Sequence, residues 1–128
     1  MSFDRKFLVW ALAYAVVGMS LGIFMAASHN HAEHVTHAHI LLVGFVLTLV
    51  YGVIHKLWLG DRARRLAMTH FVVHHAGAIT LFVGLFLLYG NMVEESRLDP
   101  VLGIASITVL SGVLLMLYMV VKTAGAKA

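Results

Sequence analysis

Histidine is the residue type in this sequence whose spacing points most directly to chemistry. Five of the nine histidines fall within eleven residues, where a polar turn leads into an apolar run: His29, His31, His34, His37 and His39. Imidazole is the commonest protein ligand for metals, and ionisable side chains within apolar spans are usually functional. The stretch therefore predicts a cofactor or metal site at the start of this run.

A second histidine group lies in the next apolar run, Thr69-His70-Phe71-Val72-Val73-His74-His75-Ala76-Gly77. His70 and His74 are one helical turn apart and share a predicted helix face with Gly77 and Gly84. An axial imidazole followed by glycines suits a haem, because glycine leaves a notch in which a porphyrin can lie against the backbone. The same pair suits one zinc or copper ion equally well.

Helical spacing places the non-aliphatic residues of the run after the histidine-rich turn on one face: His37, Gly44, Thr48, Tyr51 and His55. His39 points about 200° away from His37, so the pair suits two sites on opposite faces. In an antiparallel hairpin, His37 and His74 differ in depth by about 15 Å. We therefore expect an outer haem near His37 or His39 and an inner one near His55, His70 and His74.

The composition identifies the class of protein. The chain is 61% hydrophobic and 12% charged, against roughly 45–50% and 25% for a soluble domain. Four apolar runs, at about 7–27, 36–59, 66–89 and 100–121, are each long enough to cross a bilayer core of about 30 Å. We expect one domain over 1–128, an all-α four-helix transmembrane bundle. Asp99 and Pro100 read as the N-cap and first position of the fourth helix.

Lysine and arginine are distributed unequally between the two ends of these runs. One end has a single basic residue, Arg97, and the other has Arg5, Lys6, Lys56, Arg62, Arg64, Arg65, Lys122 and Lys127. This asymmetry predicts that both termini are cytoplasmic in a multi-pass protein of a bacterial-type inner membrane, with the histidine-rich turn outside. The basic residues form no stripe with interleaved aromatic residues, so we expect no nucleic-acid partner.

The residue types exclude some metal and cofactor sites and leave one possible ion site open. The absence of cysteine excludes thiolate metal sites, cysteine-ligated clusters and covalent attachment of haem. In the turn, His29, His31 and His34 predict either a surface copper or zinc site or a solvated turn.

The G-x-x-x-G pair of Gly18 and Gly22 is typical of close helix packing, either inside the bundle or between two copies.

The stretch Thr36-His37-Ala38-His39-Ile40-Leu41-Leu42-Val43-Gly44-Phe45 resembles the haem-bearing helix of subunit I in the haem–copper oxidase superfamily, especially cbb3-type oxidases and nitric oxide reductases. The resemblance covers about a fifth of the chain. It implies that His37 ligates an active-site haem and His39 a low-spin haem. The family's copper-binding histidine with a tyrosine four residues later is absent, so oxygen or nitric oxide reduction is not implied.

We therefore expect a membrane b-type cytochrome that binds one or two haem b groups through His37, His39, His70 and His74, for electron transfer rather than catalysis. Its expected partners are the lipid membrane, a quinone or another redox partner, and further copies of the chain. One alternative is a copper or zinc binding or transport protein that collects ions at the turn. Another is a structural subunit of a larger membrane complex.

Overall fold

Four long helices account for almost all of the chain. In the computed structural model, α1 spans Phe3–Ser28, α2 His34–Leu59, α3 Arg64–Tyr89 and α4 Glu95–Lys127. The structure describes the backbone of residues 1–127 and the side chains of residues 1–123. Ala128, in the predicted domain, and the Lys127 side chain, in the charge count, lie outside the described residues. No strand occurs in the described part of the chain, which confirms the all-α four-helix prediction.

The surface of the bundle suits lipid. Each of the four helices is long and apolar enough to cross a membrane. Large apolar side chains such as Ile23, Leu42 and Ile104 point outward, where hydrocarbon can cover them. Ser106 and Thr108 on α4 donate their hydroxyl protons to the carbonyl four residues earlier, so these polar groups need no water. The protein is therefore a multi-pass membrane protein, as predicted.

The helices pair as two hairpins. Helix α1 packs along α2, and α3 packs along α4. At one end of the bundle the Lys56 ammonium lies 3.8 Å from the Asp4 carboxylate, and the Phe3 amide donates to Asp61 Oδ1 at 3.4 Å. Met119 of α4 belongs to the same buried apolar cluster as Phe3. The start of α1 and the last turns of α4 thus meet beside the α2–α3 loop, at the basic end.

Glycines allow α1 and α2 to approach closely. A Cβ atom added at Gly44 would lie 2.9 Å from Cγ of Tyr14 and 3.2 Å from Cε2 of Phe82. A Cβ atom at Gly52 would lie 3.3 Å from the carbonyl oxygen of Asp4. Most side chains at these positions would force the hairpin apart, because real Cβ contacts of that length are rare and cores are close-packed.

Helix α2 contains two π-helical segments, Ile40–Val46 and His55–Leu59. In each segment a backbone amide donates to the carbonyl five residues earlier, as Gly60 does to His55 at 2.7 Å. Each such turn holds one more residue than an α-helical turn, so residues before it are rotated by about 100° relative to a regular helix. π segments are frequent at functional sites, and these two begin immediately after His39 and at His55.

The prediction that α4 begins at Asp99 and Pro100 is wrong. The helix begins at Glu95, and the amides of Arg97 and Leu98 donate to the carbonyl of Glu94. Pro100 is the sixth residue of the helix, so it removes a single hydrogen bond near the start and leaves the later turns intact.

We predict that Gly44→Ala destabilises the bundle by about 1–3 kcal/mol, because the new methyl group would overlap the Tyr14 ring. The matched control is Gly103→Ala, where a Cβ would meet nothing within 4 Å. The control should be neutral or stabilise by up to about 1 kcal/mol, since alanine favours a helix interior. Unfolding of both purified variants in detergent measures the difference. Equal stability of the two variants would contradict the packing at Gly44.

Candidate functional site

Four buried histidines lie side by side inside the bundle. The exposed fraction is 1% for His55, 0% for His70 and His74, and 5% for His75. His55 begins the second π segment of α2, and the other three lie on α3. We name these four residues the histidine cluster. Histidine is usually only partly buried in proteins, so a group of four in a bundle surrounded by lipid is a candidate functional site.

Aromatic rings hold the histidine cluster together. The ring centroid of Phe7 lies 5.3 Å from that of His55, 5.5 Å from that of His70 and 5.9 Å from that of His75. The centroid of His74 lies 5.0 Å from that of His75. The Phe7 side chain of α1 is therefore inserted among imidazoles that come from α2 and α3.

Two hydroxyl groups from other helices bond to the cluster. The Thr48 hydroxyl on α2 forms a hydrogen bond of 2.7 Å with Nε2 of His74. The Tyr14 hydroxyl on α1 forms a bond of the same length with Nδ1 of His75. A hydrogen bond at one ring nitrogen fixes the orientation of an imidazole and directs the other nitrogen, as occurs with metal-ligating histidines.

The remaining nitrogens of the cluster have no hydrogen-bond partner among the described residues. They are Nε2 of His55, Nδ1 of His74, Nε2 of His75 and both ring nitrogens of His70, whose ring lies near the backbone of Gly112 on α4 without forming a hydrogen bond of good geometry. The hydroxyl of Tyr51, whose ring lies edge-on to His70 and His74, is also unpartnered. A buried polar group without a partner costs about 1–3 kcal/mol, so this arrangement is expensive for packing alone.

The outer histidines of α2 are oriented in another way. Nδ1 of His37 donates to the carbonyl of Gly18 on α1 at 2.7 Å, and Nδ1 of His39 donates to the carbonyl of Val35 at 2.8 Å. Both rings are partly exposed. The ring of His37 lies against Gly22, where a Cβ atom would be 2.8 Å from its Cε1 atom. The G-x-x-x-G pair of α1 thus accommodates α2 within the same chain.

The predicted face of α2 is directed at protein along its length, but its outer end is less buried than its inner half. Thr48, Tyr51 and His55 are buried, as the spacing predicts, but His37 is only partly buried and faces α1. Thr36 takes the buried position instead. The π segment Ile40–Val46 is the reason, because it rotates the preceding turn relative to the regular helix on which the prediction was based.

The turn histidines do not converge. His29 ends α1 in the left-handed conformation, with φ of 57°, and His34 donates from Nδ1 to the carbonyl of His31 at 3.0 Å. All three side chains are exposed. Among the described residues, no group of three or more His, Asp or Glu side chains is placed to hold a metal ion.

The predicted porphyrin notch on α3 is filled by α4. A Cβ atom at Gly77 would lie 3.1 Å from Cβ of Thr108, and one at Gly84 would lie 2.7 Å from Cδ2 of Leu102. The glycines that follow His74 therefore serve close packing of α3 against α4. The notch interpretation is wrong because a glycine on a helix face suits a neighbouring helix as well as a flat ligand.

The four predicted ligands divide into two groups. His70 and His74 lie together with His55 and His75, whereas His37 and His39 lie on the outer part of α2. His55 was expected beside the inner haem but not as a ligand, and His75 was not expected at the site. His75 sits beside His74 in sequence, but its partner Tyr14 lies 61 residues away, so no local spacing indicated its role.

Haem is the cofactor that the sequence predicts, and the cluster fits it in donor chemistry. Each of the four imidazoles has a free buried nitrogen, and the surroundings are apolar. The space between the rings is filled, because the side chains of Phe7 and Tyr51 lie between them. A porphyrin at the cluster therefore requires those two rings to move aside. At the outer end, His37 has its Nδ1 already bonded and its ring partly exposed.

We predict that Thr48→Val destabilises the protein by about 1–3 kcal/mol, because it keeps the side-chain shape and leaves Nε2 of His74 without its partner. The control is Thr80→Val on the exposed side of α3, where the lost bond is to the backbone carbonyl of Ala76. That change should stay within about 0.5 kcal/mol. Unfolding in detergent measures both, and an unaffected Thr48→Val variant would show that this bond contributes nothing.

Comparison of the chain with protein-family models, curated proteins and solved structures found no match. The resemblance of α2 to subunit I of the haem–copper oxidases accordingly stays an expectation drawn from its residues. The chemistry available at the site is that of the histidine cluster and of the Thr48 and Tyr14 hydroxyl groups bonded to it.

Proposed function

We propose that this chain is a membrane b-type cytochrome, which holds haem non-covalently through histidines of α2 and α3 and transfers electrons within the membrane. The observation that carries the proposal is the set of unpartnered, buried ring nitrogens in the histidine cluster. A neutral imidazole nitrogen is a good ligand for haem iron, and coordination would give one or two of these nitrogens a partner.

Haem is favoured over a bare ion by the number of ligands that each needs. A zinc or copper site takes three or four protein or solvent ligands converging at about 2 Å, and no such group occurs among the described residues. Haem needs one or two axial donors. His70 and His74 are the proposed inner donors, with His55 and His75 beside them, and His37 is the proposed outer donor.

The chain's own residues would tune the cofactor rather than perform chemistry. Bound haem supplies a one-electron redox centre. Thr48 and Tyr14 orient His74 and His75 through their hydroxyl groups, and the apolar side chains around the cluster exclude water. Ligand orientation and burial are the two means by which a protein sets the potential of haem iron.

The proposal also covers the oligomeric state, the electron partner and the membrane of the protein. Four helices leave little protein to enclose a haem, so self-association of the chain is part of the proposal, and a quinone is the proposed class of electron partner. The resemblance of α2 to subunit I of the haem–copper oxidases supports a small relative that binds haem. The basic end of the bundle supports insertion in a bacterial-type inner membrane with both termini in the cytoplasm.

We predict that protein purified from haem-replete cells shows sharp α and β bands in a reduced-minus-oxidised spectrum, with about one or two haems per chain in a pyridine haemochrome assay. His70→Gln and His74→Gln should lower the haem content, because glutamine keeps the polarity and removes the imidazole. His37→Gln tests the outer donor. The control is His31→Gln in the exposed turn, which should keep the spectrum of the parent.

Thermal unfolding of each variant separates loss of haem from loss of fold. A colourless parent protein would overturn the proposal. Stoichiometric copper or zinc in that colourless sample would favour the ion-binding alternative, and a metal-free sample would favour a structural subunit.

The proposed orientation gives a separate prediction. A green fluorescent protein fused after Ala128 should fluoresce, and alkaline phosphatase fused there should be inactive, because the C-terminus is expected in the cytoplasm. The matched control places the same reporters in the α3–α4 loop after Met92, where the opposite result is expected. Active phosphatase at the C-terminus would reverse the proposed orientation.

A further inference from the structure

A small cavity lies at the basic end of the bundle, away from the histidine cluster. It has a volume of about 60 Å³ and lies between the α2–α3 loop and the last turns of α4. Two cationic side chains, Arg62 and Lys122, line it together with Leu59, Leu66 and Met119. Arg62 and Lys122 are separated by 60 positions in the chain, so only the packing of α4 brings them together.

Among the described residues neither cation has a carboxylate partner, and the Lys122 ammonium lies 5.6 Å from the centroid of the Tyr118 ring. In the part of the chain that the structure describes, ion pairs join Lys56 to Asp4 and Arg97 to Glu94. Asp61, next to Arg62 in sequence, accepts a hydrogen bond from the Phe3 amide instead. Two neighbouring positive charges without a counter-charge repel each other and create a local positive potential, which an anion would relieve.

The walls of the cavity are apolar below the cations. Leu59 and Met119 are each 4% exposed and belong to the buried cluster at this end of the bundle. The hydroxyl of Thr123, which also lines the cavity, donates to the carbonyl of Met119 at 2.8 Å. The cavity itself therefore suits a small anionic group, and the exposed apolar side chains of α2 and α4, such as Leu57 and Leu117, are available to an apolar part that stays outside it.

We propose that this cavity binds the phosphate group of an anionic phospholipid, with Arg62 and Lys122 on the phosphate and the acyl chains against α2 and α4. The cavity lies at the end of two membrane-spanning helices, which is the depth of lipid headgroups. Basic pockets between transmembrane helices recognise anionic headgroups in this way. The site is independent of haem binding.

Native mass spectrometry of the full chain in detergent tests the proposal, with phosphatidylglycerol and phosphatidylcholine of identical acyl chains as probes. Each nearby cation contributes roughly fivefold in affinity, so we expect phosphatidylglycerol to bind about 30-fold more tightly than phosphatidylcholine. Arg62→Gln/Lys122→Gln should abolish this preference. Arg62→Lys/Lys122→Arg, which keeps both charges, should retain most of it.

The matched control is Arg64→Gln/Arg65→Gln, which removes the same charge from the same end and does not alter the lining of the cavity. It should keep the preference for phosphatidylglycerol. An equal loss in both double variants would show general attraction to the basic end and would overturn the site. Absence of any preference in the parent, or full displacement of the lipid by inorganic phosphate at millimolar concentration, would overturn it as well.

Discussion

In the hydrocarbon core of a membrane there is no water to satisfy a polar side chain, so each buried imidazole depends on partners that the protein supplies. The bundle supplies Thr48 to His74 and Tyr14 to His75, from two different helices. It leaves the other nitrogens of the cluster without a well-formed hydrogen bond, and two of them belong to His70. Unmet hydrogen-bonding capacity is therefore concentrated in one small region, and the proposed function follows from that concentration.

Helix α2 has to face two partners, and its π segments make this possible. Its outer part turns His37 towards the Gly18 carbonyl on α1, while its inner part turns Thr48 towards His74 on α3. The π segment Ile40–Val46 lies between these two contacts and changes the direction in which side chains point. The Thr48–His74 bond connects α2 to α3 at the level of the histidine cluster, while the backbones of the two helices approach each other mainly in the outer part of α2.

The polar features of the protein are separated along the membrane normal. The histidine cluster lies within the bundle, the turn histidines are exposed at one end, and the cations Arg62 and Lys122 lie at the other. Glycines do not line an open slot between these levels. Gly44 and Gly77 allow helices to touch, and Gly52 allows α2 to approach Phe7, where a Cβ atom would lie 3.3 Å from the Phe7 Cβ atom.

The sequence alone determined the class of the protein, because the length and polarity of an apolar run are properties of the chain itself. It determined the four helices, the basic end and the inner face of α2 with Thr48, Tyr51 and His55. Only the tertiary structure decided which histidines share a site, since the partners of His74 and His75 lie on other helices. It also decided the outer face of α2, where the π turn changes a register that periodicity assumes constant.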